Sequence, residues 1–330
     1  MSFMNEFKSK RVLITLALLI LVLMIAFAIS LMNGAARMDW QTPEGRFILF
    51  QIRLPRTLLA LLVGMALSLA GAVFQALLRN PLADPHLLGV SAGGALGVVI
   101  GSGFLMAGQL AFSIPVLSLL GSLLAVVVVY RFSLRKGALS LYTLLLIGVV
   151  MNSVFISTIV FFQSLVRSDE LMTVLFWLLG NLSFTNYSRL LAVAVILLAA
   201  AVPLILQARK LNILSFGEST AHSLGVPVEQ TKRTVFFLAA LLTGISVSVS
   251  GIIGFVGLVV PHLARLLFGS DYRKLLPTCA LLGGIVLILS DTLARTMIAP
   301  QELPVGVVTS FLGAPFFIYF LKQREAKRVI

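Results

Sequence analysis

Runs of about twenty apolar residues recur along this chain from Val12 to Phe320 with few polar gaps between them, and a helix of that length crosses the hydrocarbon core of a bilayer. The pattern excludes a water-soluble fold. Only 11% of the 330 residues are charged and 59% are hydrophobic, against roughly a quarter charged in soluble domains. The chain reads as an all-α integral membrane protein with about ten spans, near 12–32, 56–78, 86–105, 111–132, 139–166, 187–208, 231–250, 252–268, 275–297 and 304–321. It shows no linker and no second soluble domain, so residues 1–330 are expected to form one transmembrane domain. Lys8, Lys10 and Arg11 before an apolar run, with Ala26-Phe27-Ala28 after it, imitate a cleaved signal. The run continues to Met32, and the expectation is a retained first helix. Leu171 to Leu179 is too short to span and reads as a re-entrant or interfacial helix.

A formal net charge of +13 in a soluble protein would suggest nucleic acid. Here the charges sit between apolar runs, so their placement carries the information, and no nucleic-acid partner is expected. Ten spans put both termini on one side. That side collects 18 of the 25 Lys and Arg residues, and the positive-inside rule makes it cytoplasmic. The opposite side holds Arg37, Arg46, Arg53, Arg56, Arg167, Arg189 and Arg295, without a lysine. An offset of 180 positions aligns Leu61-Leu62-Val63-Gly64 with Leu241-Leu242-Thr243-Gly244, Ser68 with Ser248, Gly71 with Gly251 and Pro81 with Pro261. Five crossings separate the copies, which makes this an inverted internal repeat of a kind found in transporters.

Several stretches carry chemistry. Arg53 and Arg56 flank Leu54-Pro55 at the outer mouth of the second span, with Pro55 suited to a first helical turn. They read either as snorkelling anchors or as two-pronged receptors for the carboxylates of a docking partner. Asp291 and Arg295, one helical turn apart, read as an internally neutralised pair, since a lone charge in an apolar span is costly. The long cytoplasmic stretch 211–226 reads as short amphipathic helices with Gly225 as a C-cap, shaped for a partner's groove. Asn152, Ser153, Ser157 and Ser164 read equally as pathway lining or as hydroxyls bonded back to their own helix. Ser91-Ala92-Gly93-Gly94-Ala95-Leu96-Gly97 lacks the lysine and strand of a phosphate loop and reads as close helix packing. No Gly-x-x-x-x-Gly-Lys-Ser/Thr sequence occurs, so any ATP hydrolysis belongs to another polypeptide, and no catalytic residue is assigned. Cys279 has no cysteine partner, and His86, His222 and His262 lack metal-ligand spacing, so no metal site is assigned.

The stretches Arg53-Leu54-Pro55-Arg56, Gly71-Ala72-Val73-Phe74-Gln75-Ala76-Leu77, Asn80-Pro81-Leu82-Ala83-Asp84-Pro85, Leu88-Gly89-Val90-Ser91, Gly217-Glu218, Leu224-Gly225-Val226, Gly254-Phe255-Val256-Gly257-Leu258-Val259-Val260-Pro261-His262, Glu302-Leu303-Pro304-Val305-Gly306 and Leu312-Gly313-Ala314-Pro315 together resemble the FecCD permease family. That family serves cobalamin, haem and iron-siderophore ABC importers. The resemblance runs in order from about residue 45 to 320. It implies a multi-pass subunit of the bacterial inner membrane, paired with a second permease subunit, expected to be an identical copy. Two ABC ATPases, which would hold ATP and Mg, and a periplasmic or lipid-anchored binding protein complete the implied assembly, with no cofactor on this chain itself. It further implies binding-protein docking by Arg53, Arg56 and Arg295, and ATPase coupling by Gly217, Glu218, Ala221, Leu224 and Gly225. Leu141 and Tyr142 stand at the cytoplasmic mouth where some members carry small hydroxyl residues. The departure leaves the cargo open among an iron-siderophore, the first choice, and haem, cobalamin or an oxyanion. The alternative class is an ion-coupled secondary transporter, which usually needs intramembrane ionisable residues as coupling sites. Asp291 is the main candidate, and it already faces Arg295.

Overall fold

The computed structural model describes residues 2–35, 39, 41–104, 110–164, 177–182 and 186–326. Helix α1 covers Ser2–Met32. Thr42 then caps α2, Pro43–Phe47, by accepting from the Gly45 N–H. The chain continues without a break through a π-helical turn, Ile48–Arg53, into α3, Leu54–Leu77. Pro55 therefore lies inside a helical run that starts at Pro43, earlier than the expected 56. A proline cannot donate to the helical ladder, and the helix widens immediately before it, the Leu54 N–H reaching Leu49.

A 3₁₀ turn at Pro85–Leu88, capped by Asp84, leads through Gly89 in the left-handed region to α4, Val90–Phe104. Helix α5 is Leu110–Phe132. A small antiparallel hairpin follows, β1 Leu134–Arg135 and β2 Ala138–Leu139, and delivers the chain to α6, Leu141–Gln163. Beyond come α7 Tyr187–Leu206, α8 Ala208–Ser215, α9 Glu218–Ser223, α10 Val228–Ser250, α11 Val256–Phe268, α12 Tyr272–Thr296 and α13 Val305–Ala326. Most of the expected Leu171–Leu179 segment lies outside the described residues, as do Arg37 and Arg167.

Seven described stretches are long and apolar enough to cross a membrane: Leu13–Met32, Pro43–Leu77, Ile114–Phe132, Leu141–Gln163, Tyr187–Leu206, Val228–Ser250 and Tyr272–Thr296. Three shorter apolar helices, Val90–Gly101, Val256–Phe268 and Val305–Tyr319, fall where the other spans were expected. Helix α3 is the hub, buried along most of its length between α10, α11 and α12. It runs antiparallel to α12. Arg56 faces Asp291, Gly64 faces Gly283, and the Ser68 hydroxyl donates to the Cys279 carbonyl at 2.7 Å. Close approach sets this seam, because a β-carbon on Gly64 would lie 2.2 Å from the Gly283 carbonyl oxygen, and one on Gly283 would lie 2.2 Å from that of Gly64. Small residues of this kind let helix backbones meet where lipid supplies no hydrophobic drive between them.

Phe74, late in α3, meets Phe236, early in α10, with ring centroids 6.3 Å apart, so the two helices of the internal repeat run in opposite directions. The gapless residue correspondence is looser than that. Gly71 sits inside α3, whereas Gly251 ends α10 with φ +67°. The apolar faces of α1, α5, α6 and α7 turn outward, with Leu13, Met24, Leu124, Val160 and Leu191 exposed, where lipid or other apolar protein must cover them.

Candidate functional site

The two ends of the bundle carry different chemistry. At one end α1, the π-turn, α3 and α12 meet around three arginines and two acids. The Arg56 guanidinium donates through Nε and Nη2 to Asp291 Oδ1 at 2.9 and 2.8 Å, and through Nη1 to Glu302 Oε2 at 2.7 Å. Arg295 Nε stands 3.0 Å from Asp291 Oδ2, so the i,i+4 pair read from the sequence does form. Arg295 Nη2 also donates to the Ser30 hydroxyl at 2.8 Å, and Nη1 to the Asn33 carbonyl at 3.2 Å. Arg53 donates to the carbonyls of Leu31 and Met32 at 2.9 and 3.0 Å. The last carbonyls of a helix have no partner within it, and these guanidiniums supply partners for the end of α1. All three arginines are buried, Arg56 at 6% exposure and Arg295 at 3%. The expected docking arginines thus come together as one internal ionic cluster. Its exposed member is Glu302, with a side chain 37% exposed.

At the opposite end lies the stretch expected to meet an ATPase. Leu211, Leu214 and Ala221 are buried and hold α8 and α9 on the bundle. Gly217, at φ +129°, turns the chain between the two helices, and Gly225, at φ +76°, ends α9 with its N–H on the His222 carbonyl at 3.0 Å. The outward face shows Phe216 at 79% and Leu224 at 64% exposure. Two large apolar side chains thus stand free on a loop whose other side is already packed.

This loop is tied down by groups that the sequence did not single out. The Asn212 amide donates to Asp271 Oδ1 at 2.7 Å and accepts from the Tyr272 N–H at 2.8 Å. Asp271 caps α12 and takes Arg273 Nε and Nη2 at 3.1 and 3.0 Å. The Arg273 guanidinium first, and the Asn212 amide after it, hold the Asp271 carboxyl down to about 2. Arg79 donates to the Leu214 carbonyl at 3.3 Å. Lys232, only 2% exposed, places its Nζ 3.1 Å from Glu218 Oε2, 2.5 Å from Glu229 Oε1 and 2.8 Å from the Leu139 carbonyl oxygen. The Leu139 N–H donates to Glu229 Oε2 at 2.8 Å. The signal for this cluster was Glu229 standing three residues before Lys232 in the first turn of an apolar helix, where Lys232 had counted merely as one of the basic residues between spans.

Leu141 and Tyr142 line a cleft of 560 Å³ with Arg79, Glu218, Glu229 and Lys232, so the expected mouth adjoins the expected coupling loop. Tyr142 is 77% exposed. Along α6, Ser153, Ser157 and Ser164 are exposed and Asn152 is half-buried. The Ser153 and Ser164 hydroxyls bond back to the carbonyls of Val149 and Phe161 at 3.2 and 2.7 Å. These residues share an open helix face with Leu146, Val149, Val150 and Val160.

Known proteins are similar to this chain in sequence, and a solved structure is similar to it in architecture. An uncharacterized ABC transporter permease of Bacillus subtilis (strain 168) is 46% identical over 283 residues, covering 84% of this chain and 79% of that protein. The hemin transport system permease of Yersinia pestis is 41% identical over 320 residues, 93% of this chain and 96% of its own length. The vitamin B12 import system permease of Salmonella typhi is 39% identical over 325 residues, 95% of each chain. A solved inward-facing structure, described as a metal-chelate type ABC transporter, superposes with a TM-score of 0.85 at 33% identity, covering 92% of this chain and 97% of that one. The FecCD transport family matches residues 12–323. These relatives are permease proteins of ABC transport, hemin transport and vitamin B12 import systems, and with the family match and the helical architecture above they make this chain a member of the FecCD transport family and a membrane-spanning permease subunit of an ABC importer.

Proposed function

We propose that this permease moves a large metal chelate, an iron-siderophore first, with haem and cobalamin as the related cargoes, from a binding protein into the cytoplasm of a bacterium. In this reading residues 1–330 form one permease domain of the inner membrane with both termini cytoplasmic, paired with an identical copy. ATP and Mg belong to two partner ATPases, and the chain itself carries no cofactor. The observation that carries the coupling half of the reading is the exposure of Phe216 and Leu224 beside Gly217, Glu218, Ala221 and Gly225, an apolar pair on a rigid backing that fits a partner's groove. ATP then reshapes the pathway because its binding favours one arrangement of the permease over the other.

The pathway is assigned to α6, with Leu141 and Tyr142 at the cytoplasmic mouth and Asn152, Ser153, Ser157 and Ser164 along the wall. The binding protein is placed at the other end, over Arg53, Arg56 and Arg295. With these guanidiniums engaged internally, a partner's carboxylate reaches Arg56 by taking the place of Glu302, the exposed acid of the cluster.

Changing Glu218 and Leu224 together to arginine tests the coupling loop. The expected result is loss of ATPase co-purification and of uptake, and wild-type levels of both would reject the assignment. Purifying the whole complex with its binding protein and identifying the chelate that protein retains tests the cargo. A retained metal chelate supports the reading, and a bare oxyanion overturns that part of it.

A further inference from the structure

A lysine with 2% exposure is costly unless its charge is matched and its hydrogens placed. Lys232 satisfies both conditions with groups from three different pieces of the chain. Glu218 belongs to α9, the helix read as facing the ATPase. Glu229 belongs to α10, the helix of Lys232 itself. Leu139 belongs to β2, whose next residues, Ser140 and Leu141, open α6. The bonds are mutual, since Glu229 accepts the Leu139 N–H at 2.8 Å while Lys232 donates to the Leu139 carbonyl at 2.8 Å. The backbone of one strand residue is thus gripped on both sides by α10. The Arg233 guanidinium reinforces the grip by donating to the Gly137 carbonyl at 2.5 Å.

We infer that Lys232 is the positioning residue that makes α9, the hairpin and the start of α6 move as one body, so that displacement of the ATPase-facing helix is delivered to Leu141 and Tyr142. This rests on the coupling reading proposed above and adds the route inside the permease. The geometry favours such a link over mere local bracing for two reasons. The residues it joins, Glu218 and Leu139, are otherwise far apart in the chain, and the hairpin between α5 and α6 is only two residues per strand, too short to hold its own orientation. Coupling between sites requires an element whose arrangement both sites bias, and a buried, fully matched ammonium joining three segments supplies it. Glu218 and Glu229 are themselves part-exposed, with side chains 42% and 40% open, so the clamp faces the cleft that Tyr142 borders.

The test uses the complete complex with its ATPase and binding protein, carrying spin labels at Ala138→Cys in the hairpin and Ser223→Cys at the end of α9. Both positions are exposed, and Cys279 is buried. In the wild-type background the distance between the labels stays the same with and without ATP and Mg. With Lys232→Met, which keeps the unbranched chain but for its terminal ammonium and so removes the charge, the distance changes on adding nucleotide, and cargo moved per ATP falls at least about fivefold, the low end of typical allosteric couplings. Glu229→Gln, a change at a part-exposed carboxylate, gives a smaller loss of the same kind and serves if Lys232→Met fails to assemble. A label distance that responds to nucleotide equally in wild type and variants, or an unchanged ratio of cargo to ATP, overturns the inference. Crosslinking from Ser223→Cys to the ATPase separates the two levels. Its failure in wild type overturns the docking reading and this inference with it, whereas a crosslinked ATPase with an unmoved ratio overturns this inference alone.

Discussion

Arg56 holds the carboxylate of Asp291, 235 residues further along the chain, by three hydrogen bonds of 2.8 to 3.2 Å. Asp291 is completely buried and also faces Arg295, so one carboxylate serves two guanidiniums with Glu302 completing the balance. Removing one partner of a buried ionic group leaves the others uncompensated and costs about 3–5 kcal/mol. Asp291→Ala is therefore expected to lower thermal stability of the purified subunit sharply. The double variant Arg56→Met with Asp291→Ala is expected to lose less than the sum of its parts, the signature of direct contact. A heating series followed by size-exclusion chromatography measures both, and additive losses would contradict the pairing.

The seam between α3 and α12 has no room at Gly64 or Gly283. Gly64→Leu forces the helices apart and is expected to abolish folded protein. Gly283→Ala, the smallest addition, still meets the Gly64 carbonyl and is expected to destabilise by about 1–3 kcal/mol, the usual range for overpacking. Expression level and melting temperature in detergent report both.

Reversing Arg53, Arg56 and Arg295 to Glu is expected to weaken capture of the loaded binding protein, and more so at low salt, since the attraction between two charged surfaces approaching through water is screened within about 10 Å at 0.1 M. Because Arg56 and Arg295 also neutralise Asp291 and Arg53 holds the last carbonyls of α1, all three variants are expected to lose stability as well, and a melting curve of each variant separates that loss from lost docking. Unchanged affinity at low salt in all three variants would remove this end from the docking surface.

Ser157→Cys on the exposed face of α6 is expected to react with a water-soluble maleimide, at a rate that changes when ATP and Mg are added. A pathway position is wet in at least one conformation, whereas a lipid-facing or dimer-buried position is not. Absence of labelling in every nucleotide state would move the pathway off this face.

Asp271 ties α8 to α12 through Asn212, and Arg273 holds its carboxyl at about 2, below the ordinary value of 3.8. A depressed carboxyl contributes stability that is fully present above its unfolded value and is lost as pH falls through the folded one. The tie is expected to be intact at neutral pH and to weaken only between about pH 4 and pH 2. Asp271→Asn should remove this acid-range dependence from a pH series of thermal unfolding.

The membrane-spanning helices were legible because a twenty-residue apolar run carries its own length and needs no partner to be recognised. Their ends were less so. Pro55 looked like a first turn, yet a π-turn carries the helix through it from Pro43, and a widened turn leaves no mark in the sequence. The pair of Asp291 and Arg295 was readable because four residues separate them, whereas the stronger contact to Arg56 joins helices far apart in the chain. The same distance hid Lys232, whose partner Leu139 lies 93 positions away. Charges between spans could be counted and assigned a side, but nothing local said that three arginines expected to face outward would be buried against α1 and α12. Gly225 was legible as a helix cap because the turn after α9 demands a residue at ease with positive φ, whereas Gly217 and Ala221 were named only through the family resemblance.

The most direct measurement is transport by the purified chain in liposomes, with and without its ATPase, binding protein and ATP. The account predicts accumulation of cargo against its gradient only when all three are present, with none from the chain alone under a proton or sodium gradient. Accumulation by the chain alone, driven by such a gradient and indifferent to ATP, would contradict it.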